Sequence, residues 1–100
     1  HPDVDAIVCG SDQIARGVLD TARDLGKSVP DQLAVIGFDN WEVLATNARP
    51  ELTSIDANLQ QLGREAALRV FDAIDGVEIG EGTHHLPVRL VTRGSTIARR

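Results

Sequence analysis

One hundred residues suffice for a single small domain and no more, and a composition of 42% hydrophobic and 25% charged residues, with mean hydropathy -0.10, is that of a globular chain. A net charge of -5 leaves no basic footprint for nucleic acid or anionic lipid, so any DNA contact must be made by other residues. No apolar run approaches the roughly 20 residues of a membrane helix, no signal-peptide pattern opens the chain, and the single cysteine, Cys9, has no internal disulfide partner, which favours a reducing compartment.

The chain opens on a polar lead-in, His1–Asp5, followed by a short apolar strand at Ala6–Cys9 and a turn at Gly10. Ser11 is a good helix N-cap, and Asp12 lies in the first turn, where the helix dipole favours negative charge. Ile14, Val18, Leu19, Ala22 and Leu25 recur at helical spacing and predict the buried face, with Gln13, Arg16, Asp20, Arg23 and Asp24 on the other side. Gly26 supplies the stop, and Pro30 follows. Leu33–Phe38 is apolar or Gly without a polar interruption, which predicts a strand covered on both faces. Strand, helix and strand of this kind form a parallel crossover, expected right-handed. The strands' carboxyl ends then share one edge, bringing Ser11 and Asp12 near Asp39 and Asn40.

Beyond Trp41, Glu42–Asn47 reads as a helical turn ended by Arg49–Pro50, and Leu52–Ile55 as a short strand. Asn58 is placed to cap a second helix, with Gln61 three residues on as in a capping box. Leu59, Leu62, Ala66, Val70, Phe71 and Ile74 form that helix's packing stripe, and Gly76 ends it. Val77–Gly82 is an acidic loop, and Thr83–Val91 reads as a strand broken by Pro87, at an edge or a bend between two sheets. Thr92–Arg100 is a polar, basic tail, expected to fray at its end. Strands that need cover on both faces, with a single connecting helix, predict a piece of a larger domain.

The chemistry concentrates at Asp39, Asn40 and Trp41, at the carboxyl end of a buried strand where open α/β sheets hold ligands. A carboxylate and an amide take hydroxyls, and a flat ring covers apolar C–H surface, which is the equipment for a sugar. The same residues also suit a plain turn with Trp41 as packing, and the residues alone leave both readings open. The adjacent pair His84–His85 would point to opposite faces of a strand, with no further ligand at metal spacing, so no metal is expected. No phosphate loop, dinucleotide fingerprint or nucleophile elbow is present, so neither a cofactor nor a catalytic residue is expected. Asp39 as the phosphoacceptor of a receiver-type domain is a rival reading, weakened because Lys27, the only lysine, is poorly placed to neutralise an acyl phosphate.

Five stretches together resemble the C-terminal part of the effector-binding domain of lactose/galactose-repressor-type (LacI/GalR-type) transcriptional regulators. They are DAIVCGSDQIARG (Asp5–Gly17), VPDQLAVIGFDN (Val29–Asn40), RPELTSID (Arg49–Asp56), NLQQLGREAA (Asn58–Ala67) and LPVRLVTRGST (Leu86–Thr96). The resemblance implies an α/β, periplasmic-binding-protein-like (type I), doubly wound parallel sheet in two lobes, with residues 1 to about 54 in the C-terminal lobe. About 55–86 would be a crossing and an N-terminal-lobe helix, and about 87–100 the return.

It further implies a cytoplasmic, non-enzymatic, sugar-sensing regulator. Its ligand would lie between the lobes against Asp39 and Ser11, with Asn40, Trp41 and Asp12 added by the residues' own reading, and would act allosterically on operator DNA bound by a helix-turn-helix outside this chain. Asp39 and Ser11 occupy the family's effector-contacting positions, Ser11 standing where Asn is common, and Ala57 stands where Gln is often found. A homodimer would pair through the outer face of the Gln13–Asp24 helix and Val43–Asn47, with no membrane contact. A periplasmic sugar-binding protein of the same fold is the alternative.

Overall fold

The computed structural model describes residues 1–96. The elements are β1 (Ala6–Val8), α1 (Asp12–Asp24), β2 (Ala34–Phe38), α2 (Glu42–Thr46), β3 (Thr53–Asp56), α3 (Leu59–Ile74) and β4 (Arg89–Val91). They divide into two units, one holding His1–Ala57 with the segment from Arg89 onward, the other Asn58–Val88.

In the first unit the strand order is β1-β2-β3-β4. β1 with β2, and β2 with β3, are parallel, in the registers Ala6↔Ala34 and Phe38↔Ile55, while β4 runs antiparallel to β3 with Ile55↔Leu90. The helix that joins β1 to β2 starts where expected, because the Ser11 hydroxyl accepts from the Ile14 amide at 3.2 Å, and it stops at Leu25 with Gly26 at φ +72°.

The face of α1 that lies on the sheet is rotated from the one the large residues predict. Its buried residues are Asp12, Ala15, Leu19 and Ala22, whereas Ile14 and Leu25 are exposed. Alanines permit the close approach, so the small residues meet the sheet. Ile14, Val18 and Leu25 form a ridge that lines an apolar groove with Ile7 and Leu33. With Cys9, Leu33, Val35, Ala45, Ala48 and Leu52, the buried row of α1 makes the core.

Cover on both faces of β2, expected from its unbroken apolar run, is not found. Val35 and Gly37 are buried, Ile36 is half-buried, and Phe38 and the neighbouring Val8 of β1 are exposed, because α1 covers one face alone.

The polar tail is anchored before its end. Ser95 is fully buried, wedged where β2 and β3 are not yet paired: its carbonyl accepts from the Val35 amide, its amide donates to the Glu51 carbonyl, and its hydroxyl accepts from the Thr53 amide while donating to the Val35 carbonyl. Residues 97–100, the predicted frayed end, lie outside the described residues.

In the second unit, α3 ends as predicted with Gly76 at φ +78°. The predicted capping box is not made: Asn58 sits at φ +57° with no side-chain cap bond, and Gln61 donates to Glu65 at 3.0 Å instead. A capping side chain needs an extended backbone at this position, and Asn58 is left-handed. No residue of α3 is buried, so the stripe predicted as packing, Phe71 and Ile74 included, is exposed. The predicted strand Thr83–Val91 shrinks to Arg89–Val91, since β3 offers partners to these three alone and Pro87 has no N–H to extend the ladder.

Leu52→Ala opens a cavity in a fully buried site and is expected to lower the unfolding free energy by about 2–5 kcal/mol in a urea titration. Ile14→Ala, on the exposed ridge, is expected to change it by about 0.5 kcal/mol. Burial pushes the Cys9 thiol up, so iodoacetamide should label it slowly at neutral pH and rapidly once denaturant is added, as read by intact mass.

Candidate ligand-binding site

Because β1, β2 and β3 are parallel, their carboxyl ends lie on one edge of the sheet. That edge receives Ser11 and Asp12 from the start of α1, Asp39 to Trp41 from the end of β2, and Asp56 from the end of β3. The sequence-predicted site residues are therefore brought together, and their roles divide by what each side chain already touches.

Asp12 is 1% exposed. One carboxylate oxygen accepts from the Ser54 hydroxyl at 2.6 Å and the other from the Trp41 amide, also at 2.6 Å. With the positive end of α1 behind it, this carboxylate is satisfied, and its geometry is that of a brace between α1, β3 and the loop after β2. Gly37 makes the brace possible, since a Cβ there would collide with Oδ1 of Asp12.

Asn40 is also engaged. Its amide donates to Ser54 Oγ at 2.9 Å, its Nδ2 donates to Asp56 at 3.3 Å, and its Oδ1 accepts from Arg93 at 2.7 Å. Arg89 closes the chain of contacts by reaching Asp56 at 3.4 Å.

Asp39 differs from both. Its amide continues the ladder to the Ile55 carbonyl at 2.9 Å, yet its φ is +108°, a strained value for a residue with a Cβ, costing on the order of 1–3 kcal/mol. Its side chain is exposed and takes no hydrogen bond among the described residues. Beside it Trp41 is 53% exposed, its backbone amide held on Asp12. The Ser11 oxygen caps α1, which leaves its O–H proton to donate outward. An acceptor, a donor and a ring thus stand at one edge, the set of groups that holds a small polyhydroxylated molecule.

Ser54 and Arg93 belong to this arrangement and were not legible as site residues. A hydroxyl in a short, otherwise buried strand is the signal Ser54 carried, and Arg93 carried none. Among the described residues, no group of three His, Cys, Asp or Glu stands close enough to hold a metal ion. His84 lies in the other unit, lining a groove with Leu62, Glu65, Arg69 and Leu86. Lys27 follows α1, at the amino-terminal edge of the sheet, so the lysine that the phosphoacceptor reading needs does not stand at Asp39.

These features are those of an α/β domain with polar and aromatic groups gathered at the carboxyl edge of three parallel strands. Residues 1–96 match the periplasmic binding protein-like domain, and the chain belongs to that family. It is 40% identical over 93 residues to the HTH-type transcriptional repressor CytR of Escherichia coli K12, covering 93% of this chain and 27% of that protein. It is 38% identical over 98 residues to the HTH-type transcriptional regulator CelR of Thermobifida fusca, covering 98% of this chain and 27% of that one.

Among solved structures, it is similar to the complex of the transcriptional regulator CelR with cellobiose at a TM-score of 0.84 and 36% identity, over 94% of this chain and 28% of that one. The lac repressor dimer bound to operator and an anti-inducer superposes at 0.86 with 30% identity, over 94% of this chain and 32% of that one. The resemblance to LacI-type regulators drawn from the five sequence stretches therefore holds, and the chain spans about a quarter of the length of the relatives it matches.

Removing the brace should loosen the site. Asp12→Ala leaves the Ser54 hydroxyl and the Trp41 amide without their acceptor and is expected to cost about 1.5–3 kcal/mol in chemical denaturation. Asp12→Asn, which keeps one acceptor oxygen, is expected to cost less.

Proposed function

We propose that this chain is the ligand-sensing part of a LacI-type transcription regulator, that it catalyses nothing, and that its effector is a small carbohydrate. The observation that carries this reading is the Asp39 carboxylate, exposed at φ +108° at the carboxyl end of β2, beside the half-exposed Trp41 ring. A strained, unengaged acid in that position has no role in the packing of the sheet. It suits a ligand whose hydroxyl protons it accepts while the indole covers a C–H face. Ser11 adds a donor from the same edge, and the relative solved with cellobiose is a precedent for a sugar in this family.

The lobe boundaries follow the same reading, with residues 1 to about 54 and the segment from about 87 in the C-terminal lobe, and about 55–86 a crossing and a helix of the other. Operator DNA would be bound by a helix-turn-helix outside this chain, in a homodimeric cytoplasmic protein, as befits relatives named HTH-type regulators. Effector binding would act on that distant head by its differential affinity for two arrangements of the lobes.

Titration calorimetry of the full-length protein against a panel of mono- and disaccharides tests the proposal. One member should bind, and Asp39→Ala should weaken it by about 10- to 100-fold, the worth of a hydrogen bond to a charged group. Affinity unchanged in Asp39→Ala would remove Asp39 from the site, and no binding by any member would remove the carbohydrate assignment.

A further inference from the structure

We propose that Arg93 is a positioning residue of this ligand site, acting through Asn40, and that Asn40 itself is a relay and not a ligand contact. The inference rests on the reading of Asp39 to Trp41 as the ligand loop and adds to it the group that sets the loop's shape.

The guanidinium of Arg93 uses two of its nitrogens: Nη1 donates to the Leu52 carbonyl at 2.8 Å, and Nη2 to Oδ1 of Asn40 at 2.7 Å. Its own amide donates to the Thr53 hydroxyl at 2.8 Å, so the backbone from which the side chain springs is fixed to β3. A planar fork anchored at one tine fixes the other in direction as well as distance.

That direction decides the orientation of the Asn40 amide. With Oδ1 turned to Arg93, Nδ2 is turned to Asp56, and Asn40 is held in the left-handed region at φ +54°. Asn40 lies between the strained Asp39, whose amide is fixed on the Ile55 carbonyl, and Trp41, whose amide is fixed on Asp12, so its side-chain contacts complete the hold on three successive residues of the loop.

The network has a further property. Asp56 is the last residue of β3 and Arg89 the first of β4, and these two residues, joined at 3.4 Å, flank the points where the chain leaves and re-enters the first unit. A ligand drawing on the loop is thus linked through Asn40 to both crossings by a continuous set of hydrogen bonds.

Amide hydrogen exchange read by mass spectrometry on the full-length protein tests the inference without a ligand. In Arg93→Gln, the peptide covering 38–44, which contains the Asn40 and Trp41 amides, should exchange about tenfold faster, while the α1 peptide is unchanged. Asn40→Ala should give a similar acceleration, and adding Arg93→Gln to it should add nothing, because the two act in series. Arg93→Lys, a point donor without the fork, should fall between.

Unchanged exchange over 38–44, equal acceleration in α1, or additive effects in the double variant would each overturn the proposal. The effector identified in the sugar panel supplies the second readout: Arg93→Gln should weaken it several-fold, and undiminished affinity would overturn the role. Failure of every sugar to bind would count against the proposed function, and the exchange result would still decide the role of Arg93.

Discussion

The structure depends on one buried carboxylate. Removing an acid from water is costly unless each oxygen is met by a donor, and Asp12 meets that condition with a hydroxyl from β3 and an amide from the loop after β2. The positive end of α1 adds to its stability. Three separate pieces of chain are therefore joined at a single point, and the residue at position 37 has to be Gly because the carboxylate fills the space a side chain would take. Asp12, Gly37 and Ser54 form one unit of design spread over 42 positions of sequence.

From that point the edge of the sheet separates into groups that hold and groups that are offered. Asp12 and Asn40 have their hydrogen-bonding capacity directed into the protein, whereas Asp39, the Trp41 ring and the Ser11 proton are directed away from it. The strain at Asp39 is the counterpart of this separation. A backbone at φ +108° is tolerable only where neighbours on both sides are fixed, and here the Ile55 carbonyl and the Asn40 contacts fix them.

A second anchor operates at the opposite end of the same strands. Ser95 inserts between β2 and β3 before they begin to pair, bonding to Val35, Glu51 and Thr53, so the return segment is built into the sheet and is not an appendage. Among the described residues every buried side-chain nitrogen and oxygen has a partner, and the buried polar residues Asp12, Thr53, Ser54 and Ser95 account for the joints between segments. Apolar surface is distributed differently: α3 buries none of its residues, and Ile14 and Leu25 stay exposed while Val18 packs against the core's margin.

Much of this was legible in the chain before folding. The alternation of apolar runs with a capped helix determined the β1-α1-β2 crossover, because local hydrogen bonding at Ser11 and the φ freedom of Gly26 are properties of single residues. The polarity change after Phe38 likewise placed Asp39, Asn40 and Trp41 at the strand end, and the five stretches placed the family. What tertiary structure alone decided was which polar groups are consumed and which remain. Periodicity placed Leu19 and Ala22 on the buried face of α1 but not the rotation that adds Asp12 and Ala15 and leaves Ile14 and Leu25 exposed, since that depends on how closely two backbones can approach. Asn58 and Gln61 had the letters of a capping box, yet a left-handed φ directed them elsewhere. Arg93 became part of the site, and Asp12 became a brace, through contacts spanning 53 and 29 positions, and no local pattern encodes a partner that folding brings from so far away.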